Sequence, residues 1–264
     1  MKESTNIQPL IKFKVLLIGE SCIDRYEFCR VIKISEEAPI PVVRNTKIYE
    51  KKGMAANVNL NLRMLGIYPD FVTCTEQIYK KRIVDEKTNQ KLLRIDYDPP
   101  VAVWNRQLPT SIKNYDAIII SDYNKGFLDY ASICYLIEES RGLVFIDTKK
   151  PDLQQFYSDR VFVKINELEY QKTTSKPKNL VVTRGSNHVL YYNDGKQVYS
   201  PFQVHKQEIT DVCGAGDTFL AAFSVNYLQT SNIENAIMFA NKASAVTVQH
   251  FGNYAPSWEE IDNA

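Results

Sequence analysis

The sequence predicts an α/β layered domain with a central, mostly parallel sheet and a small second β-sheet beside it. Three observations lead there: short uninterrupted apolar runs recur along the chain, helical patterns lie between several of them, and two extended segments break the alternation. The runs are "KVLLIGES" (14–21), "DAIIISD" (116–122), "GLVFIDT" (142–148), "RVFVKIN" (160–166) and "NLVVTRG" (179–185). Strands that are apolar at consecutive positions are covered on both faces, as in parallel sheets.

Taken in order, the first helical pattern is "AANVNLNLRMLG". Here Ala55, Val58, Leu62 and Leu65 share a stripe that stops at Gly66. "DYASICYLIEES" and "NIENAIMFANKASAVTVQH" also read as helices. Residues 26–53 and 79–96 read as extended, partly exposed strands joined by turns. They fit a β-lid standing on the main domain, or equally an ordinary meander on a sheet edge. No internal repeat or low-complexity linker divides the chain, so 13–262 is expected to be one domain after an extension at 1–12.

Composition narrows the function. The 264 residues are 44% hydrophobic and carry 32 Lys+Arg against 31 Asp+Glu. That balance argues against a nucleic-acid or membrane-surface role driven by bulk charge. Five scattered cysteines without a CxxC suggest neither a zinc site nor a disulfide framework, and reduced cytoplasmic thiols are the simplest account. The start has lysines interrupting a short apolar run, unlike a signal peptide, and no run approaches the ~20 apolar residues that span a bilayer. His188, His205 and His250 have no ligand-like spacing, which leaves them no metal role.

The stretch with the most chemistry is "DVCGAGDTFLAAFS", 211–224. Gly214, Ala215 and Gly216 leave backbone N–H groups unobstructed at a helix N-terminus, where partial positive charge favours an anion. Asp217 would stand beside that anion as a general base, or would simply offset the helix dipole. The stretch is neither GxGxxG nor a P-loop, since Phe219 stands where the last glycine would be.

At this point the chain resembles the ribokinase-like, PfkB-type carbohydrate kinases. "GESCIDRY" (19–26), "EEAPIPVV" (36–43), "GMAANVNLNLRMLG" (53–66), "QKLLRIDYD" (90–98), "SDYNKG" (121–126), "NELE" (166–169) and "DVCGAGD" occur in that family's order. The likeness covers roughly 13–262 and is closest to the heptose 7-phosphate kinase branch, the kinase half of the bifunctional enzyme that makes ADP-heptose. It implies a ribokinase-like three-layer α/β fold with a β-lid. It also implies ATP and Mg²⁺, leaves a requirement for a monovalent cation such as K⁺ open, and points to a homodimer clasped through the lids.

Roles follow position by position. Asp217 matches the family's base, and Gly214, Ala215 and Gly216 match its anion hole. Asp24 matches an acid that holds sugar hydroxyls, and Gly53 and Asn57 match the sugar-binding GG-x-x-N element. Asn166 and Glu169, with Glu167 and Leu168 between them, match the N-x-x-E motif that organises Mg²⁺ and nucleotide phosphates, largely through water. Thr183 and Gly185 match the loop under the nucleotide, and Asn241 a position near the adenine. In "SDYNKG", which brings Asp122, Lys125 reads as a phosphate ligand or a solvated loop lysine. Arg94 reads as a second phosphate ligand or an exposed lid residue.

The departures set further expectations. Met54 stands at the second glycine of GG and is expected to narrow the sugar pocket. Glu20 replaces an aspartate, Cys213 a common threonine and Asn253 a usual threonine, while His188 occupies a usual glycine. The family's helix and strand are missing between Thr73 and Tyr79, so the sheet is expected to lose an edge element. No nucleotidyltransferase segment precedes Ala264, so a separate protein would adenylylate the product. Two other readings stay open: a PfkB-type kinase for another sugar or nucleoside, and a non-catalytic binding protein that kept the fold.

Overall fold

The computed structural model describes residues 13–199 and 209–264. The extension at 1–12 and His205 lie outside the described residues. In chain order the first strands are β1 (Val15–Gly19), β2 (Ser21–Ile34) and β3 (Pro41–Met54), followed by helix α1 (Ala55–Met64). Strands β4 (Asp70–Val72), β5 (Ile78–Asp85), β6 (Lys91–Tyr97) and β7 (Ala117–Asp122) lead to α2 (Tyr130–Glu139). Then come β8 (Leu143–Thr148), β9 (Val161–Asn166), α3 (Glu167–Lys172), β10 (Asn179–Thr183), β11 (Leu190–Asn193) and β12 (Lys196–Tyr199). Helices α4 (Ala215–Thr230), α5 (Ile233–Thr247) and α6 (Trp258–Asp262) complete the described chain.

The main sheet has the order β12-β11-β10-β9-β8-β7-β1-β4. From β4 to β10 every pairing is parallel, and only β11 and β12 run antiparallel. The continuous apolar runs divide by alternation. Val15 and Leu17 face one buried cluster with Val58, Leu62, Phe219 and Phe223, while Leu16 and Ile18 face another with Ile133, Leu136 and Phe156. Successive side chains point to opposite faces, so one unbroken apolar strand feeds two cores. Helices α1, α4 and α5 cover the first face and α2 the second, giving three layers. Strand β4 is the edge on its side, and residues 73–77 carry the chain straight from it into the second sheet.

That second sheet has four strands, ordered β3-β2-β5-β6. It begins at Ser21, earlier than the expected 26, because only Glu20 separates β1 from β2. Asp24 therefore sits on a lid strand. At the other end β3 runs into α1 through Met54, whose φ of 57° lies in the left-handed region that favours glycine. The side chain is 2% exposed, packed in the second apolar cluster with Cys22, Cys74 and Ile78, and lines neither cavity described below. The side chain thus makes a core contact that offsets a strained backbone.

Close approach of β1 and β7 depends on Gly19, which is paired with Ser121. A Cβ there would collide with the Ser121 carbonyl. Gly19→Ala is therefore expected to destabilise the fold by about 3 kcal/mol or more, because backbone on both sides must move. Urea unfolding of the purified variant checks this, and a midpoint matching the parent would refute it.

Candidate active site

The parallel strands end on one side of the main sheet, the edge where open α/β sheets bind ligands. Helix α4 begins there. Its N-cap, Gly214, has φ 82°, and a Cβ at this residue would lie 2.9 Å from Asn57 Nδ2 and 3.0 Å from Asn253 Oδ1. Both the left-handed backbone and the crowding demand glycine. Two residues on, a Cβ at Gly216 would lie 2.9 Å from Lys164 Nζ. The small residues of the loop thus let a helix N-terminus settle between two asparagines and an ammonium group, with first-turn amides that have no intrahelical acceptor.

Asp217, in that first turn, is 5% exposed. Asn57 Nδ2 donates to its Oδ2 at 2.9 Å and the Tyr123 hydroxyl donates to its Oδ1 at 2.8 Å. Burial pushes its pKa up to about 6, helped by the Asp147 charge, while the two hydrogen bonds and Lys164 pull it down. Asn57 is held in turn by Asn61, which donates to its carbonyl at 2.9 Å.

Tyr123 is placed by a buried carboxylate at the junction of the two sheets. Glu20, 0% exposed, accepts from the main-chain N–H of Tyr123 (2.8 Å), Lys125 (3.0 Å) and Phe127 (3.2 Å). Burial and neighbouring Asp122 raise its pKa. Asp122, one residue before Tyr123, is itself buried between the Thr148 hydroxyl and Lys150, whose Nζ lies 3.2 Å away. Beside Asp217, Lys164 pairs with its cross-strand neighbour Asp147 at 2.7 Å. Burial works against the lysine charge, but Asp147 holds its pKa above the ordinary value.

A polar cavity of about 160 Å³ is lined by Asp122, Tyr123, Asp147, Lys149, Lys164, Asn166, Glu169, Gly214, Gly216 and Asp217. Asn166 caps α3, and Glu169 reaches back to the Asn166 N–H at 2.8 Å, a reciprocal capping box. Burial and Asp147 raise the Glu169 pKa. A second, mainly apolar cavity of about 530 Å³ opens on the other side of Gly216, with Thr183, Gly185, Ala215, Phe219 and Asn241 on its wall. There Asn241 Nδ2 is buried with no hydrogen-bond partner among the described residues. An apolar slot with one orphaned donor suits a purine ring, and the polar cavity next to it suits the phosphates. Among the described residues no cluster of three or more His, Cys, Asp or Glu is placed to grip a metal ion directly. A cation here would have to reach Asn166 and Glu169 through water and rest mainly on phosphate oxygens.

Several expected site residues fall elsewhere. Arg94 is spent on Asp96, with Nε to Oδ1 at 2.7 Å, and Lys125 on Asp98. Glu167 pairs with Arg184 at 2.9 Å and Leu168 is 67% exposed, so neither lines a cavity. Both Asp24 oxygens are engaged, Oδ1 by Arg82 and Oδ2 by Asn253 Nδ2 at 2.8 Å. Gly53 leaves room for that carboxylate, which a Cβ would strike. Asn57 contacts the buried Asp217 rather than open space. The residues that sequence reasoning passed over are Tyr123, Asp147, Lys149, Lys164 and Asn253. A signal for two of them was present: Asp147 and Lys164 are charges near the C-terminal ends of otherwise apolar strands, where burial is rare without a reason.

Two adjoining cavities, a glycine-lined helix N-terminus and a buried carboxylate on the wall of the polar cavity make up the candidate site. Residues 162–260 match the model of the "pfkB family carbohydrate kinase". Phosphofructokinase-2 from Escherichia coli in complex with potassium superposes with a TM-score of 0.73 at 14% identity, covering 96% of this chain and 98% of that one. A ribokinase from Thermotoga maritima gives 0.72 at 18% identity, covering 95% and 98%. The "Bifunctional protein HldE" of Aeromonas hydrophila is 28% identical over 96% of this chain, and that of Marinomonas sp. 29% over 94%. The chain spans 64% and 63% of the length of these two relatives. Its fold is that of these ribokinase-like solved structures.

The raised Asp217 pKa has a consequence for stability. Its folded value of about 6 lies above the ordinary 3.8. The fold therefore favours the protonated form, a contribution fully present below pH ~4 and lost as pH rises through about 6. Above that the ionised group costs on the order of 3 kcal/mol. Asp217→Asn is expected to raise the melting temperature at pH 8 and to leave it unchanged at pH 4. Thermal unfolding at the two values measures this, and a lowered melting temperature at pH 8 would contradict it.

Proposed function

We propose that the protein transfers the γ-phosphoryl group of ATP to D-glycero-D-manno-heptose 7-phosphate, at the anomeric hydroxyl, giving the 1,7-bisphosphate. The observation that carries the transfer is Asp217, buried at the head of α4 on the wall of the polar cavity and directly after the shared Gly216. The choice of acceptor rests on "SDYNKG" and "QKLLRIDYD", which resemble the heptose 7-phosphate kinase branch, and on the HldE relatives.

In this reading the purine lies in the apolar cavity against Asn241, and the phosphates run past Gly216 into the polar one. Mg²⁺, when bound, neutralises phosphate charge there, with Asn166 and Glu169 holding it through water. Asp217 takes the proton of the attacking hydroxyl as oxygen approaches phosphorus in line. Asn57 and Tyr123 fix both oxygens of the base, so no reorientation is needed at that moment. The amides of the α4 first turn and Lys164 stabilise the charge on the moving group. Asp24 and Gly53 lie on the sugar side, where Lys125 and Arg94 would exchange Asp98 and Asp96 for the acceptor's own phosphate. The lid excludes water that would otherwise accept the phosphoryl group. A nucleotidyltransferase would consume the product.

The test is ADP release across a panel of free and phosphorylated sugars and nucleosides. The heptose 7-phosphate is expected to be preferred, and equal turnover of unphosphorylated sugars would remove it as the substrate. With the preferred acceptor, Asp217→Asn is expected to lower kcat by roughly 10²–10⁴ with ATP affinity nearly unchanged. Activity should fall with one proton as pH drops through about 6. A variant of near-normal turnover would displace Asp217 as the base.

The lid also supports a homodimer. Its strands expose Ile32 (53%), Ile34 (59%), Ile48 (49%) and Tyr97 (62%), an apolar surface that needs a cover. Light scattering is expected to give twice the chain mass, and Ile34→Lys with Ile48→Lys to give a monomer. A monomeric parent protein at micromolar concentration would overturn the dimer.

A further inference from the structure

The cations around the site are nearly all committed to carboxylates: Arg82 to Asp24, Lys91 to Asp211, Arg94 to Asp96, Lys125 to Asp98, Lys150 to Asp122 and Lys164 to Asp147. Lys80 and Lys149 are different. Among the described residues neither has a carboxylate within ion-pair distance, yet both converge on one aromatic ring. Lys80 Nζ lies 4.8 Å and Lys149 Nζ 4.7 Å from the centroid of Tyr123. That ring belongs to the residue whose hydroxyl holds the Asp217 carboxylate. Cation–π attraction at such distances is worth about 0.5–2 kcal/mol, which falls short of explaining why two like charges should be gathered there.

The two lysines come from different sheets. Lys149 directly follows β8 in the main sheet and lines the polar cavity together with Asp217, Asn166 and Glu169. Lys80 is on β5 of the lid, in register with Asp24 of β2 and Asp96 of β6. Burial lowers the Lys80 pKa, and the charges of Lys149 and Arg94 lower it further, against the pull of Cys22 and Asp24. An ammonium group kept in repulsion with a second one, half-buried and without a counter-ion, is arranged for an anion that arrives from outside the chain.

We propose that Lys80 and Lys149 form a two-sided clamp on the phosphoryl group in transit, Lys149 holding it while it is still part of the nucleotide and Lys80 reaching it from the lid. The clamp rests on the phosphoryl-transfer reading above and adds a lid residue to the catalytic groups. The acceptor's hydroxyl oxygen bonds to phosphorus, the bond from phosphorus to the bridging oxygen of the nucleoside diphosphate breaks, and the hydroxyl proton passes to Asp217. Both lysines stay protonated throughout. Tyr123, which both ammonium groups approach, ties the position of the clamp to that of the base, so charge neutralisation and proton acceptance are aligned by one side chain. A transferring group that spreads negative charge over three oxygens is the species that two ammonium groups from opposite sides stabilise best.

The experiment compares the parent protein with Lys149→Met, Lys80→Met and Lys80→Arg, all checked for an unchanged melting temperature. Equilibrium binding is measured for ADP and for the non-hydrolysable ATP analogue AMP-PNP, and kcat and KM are measured for ATP and the best acceptor. Lys149→Met is expected to weaken AMP-PNP about tenfold or more while ADP binding changes less than twofold, because only AMP-PNP carries the clamped group. Lys80→Met is expected to lower kcat about tenfold or more with both KM values nearly unchanged, and Lys80→Arg to restore most of it. Equal weakening of ADP and AMP-PNP by Lys149→Met would overturn the clamp. So would a Lys80→Met effect confined to the KM of the acceptor, which would make Lys80 a ligand of the acceptor's own phosphate. Failure of the kinase reading is seen separately, as a parent protein that phosphorylates nothing in the panel, and the ratio of AMP-PNP to ADP binding still judges Lys149.

Discussion

One buried carboxylate governs the arrangement of this protein. Asp217 is sealed in the head of α4 and reached by two neutral donors, Asn57 and Tyr123, so its charge is tolerated rather than neutralised. Each donor must be held from behind. Asn57 is fixed by Asn61 within α1, and Tyr123 by the Glu20 carboxylate through the main chain of 123–127. Glu20 in turn has no room to move, being fully buried between β1 and β2. The constraint thus spreads from one pair of carboxylate oxygens to the first helix, the junction of the two sheets and the loop after β7.

The same side of the sheet balances opposite demands. An anion-binding site needs positive charge, while a buried interior penalises any charge that is unpaired. The protein resolves this by tiers. Lys164 and Lys150 are buried and paired, and Lys149, on the wall of the polar cavity, is exposed and among the described residues has no ion-pair partner. Gly216, where a Cβ would lie 2.9 Å from Lys164 Nζ, allows the paired Lys164 to sit close to the helix N-terminus.

Much of the layered fold was legible in the sequence, because buried parallel strands announce themselves as short apolar runs and the helices between them keep their stripe. The lid was legible in outline only. Ser21 to Arg25 alternate buried and half-buried residues directly after β1, and nothing local marks where one sheet hands over to the next. At the site, "GAGD" was readable because glycine, alanine and an acid at a helix start have few other uses in that order. Lys125 and Arg94 read from the sequence as open phosphate ligands, whereas Arg94 is held by Asp96, two residues along the same face of β6, and Lys125 by Asp98, which only the fold brings near. Tyr123, Lys149 and Lys164 were passed over because their neighbours are likewise distant in the chain. They stand on or just after β7, β8 and β9, and only the order of those strands in the sheet makes them neighbours.

Met54 gives the lid a mechanical character. Strand β3 ends in this residue and α1 begins at the next, with no intervening loop. Its backbone occupies a region where a side chain is unwelcome, and burial of that side chain among Cys22, Cys74 and Ile78 keeps it there. Three residues further along the same rigid helix stands Asn57. The seam between lid and core is therefore a stiff coupling rather than a hinge. The backbone that leaves β3 thus reaches, within one helical turn, the amide that holds Asp217.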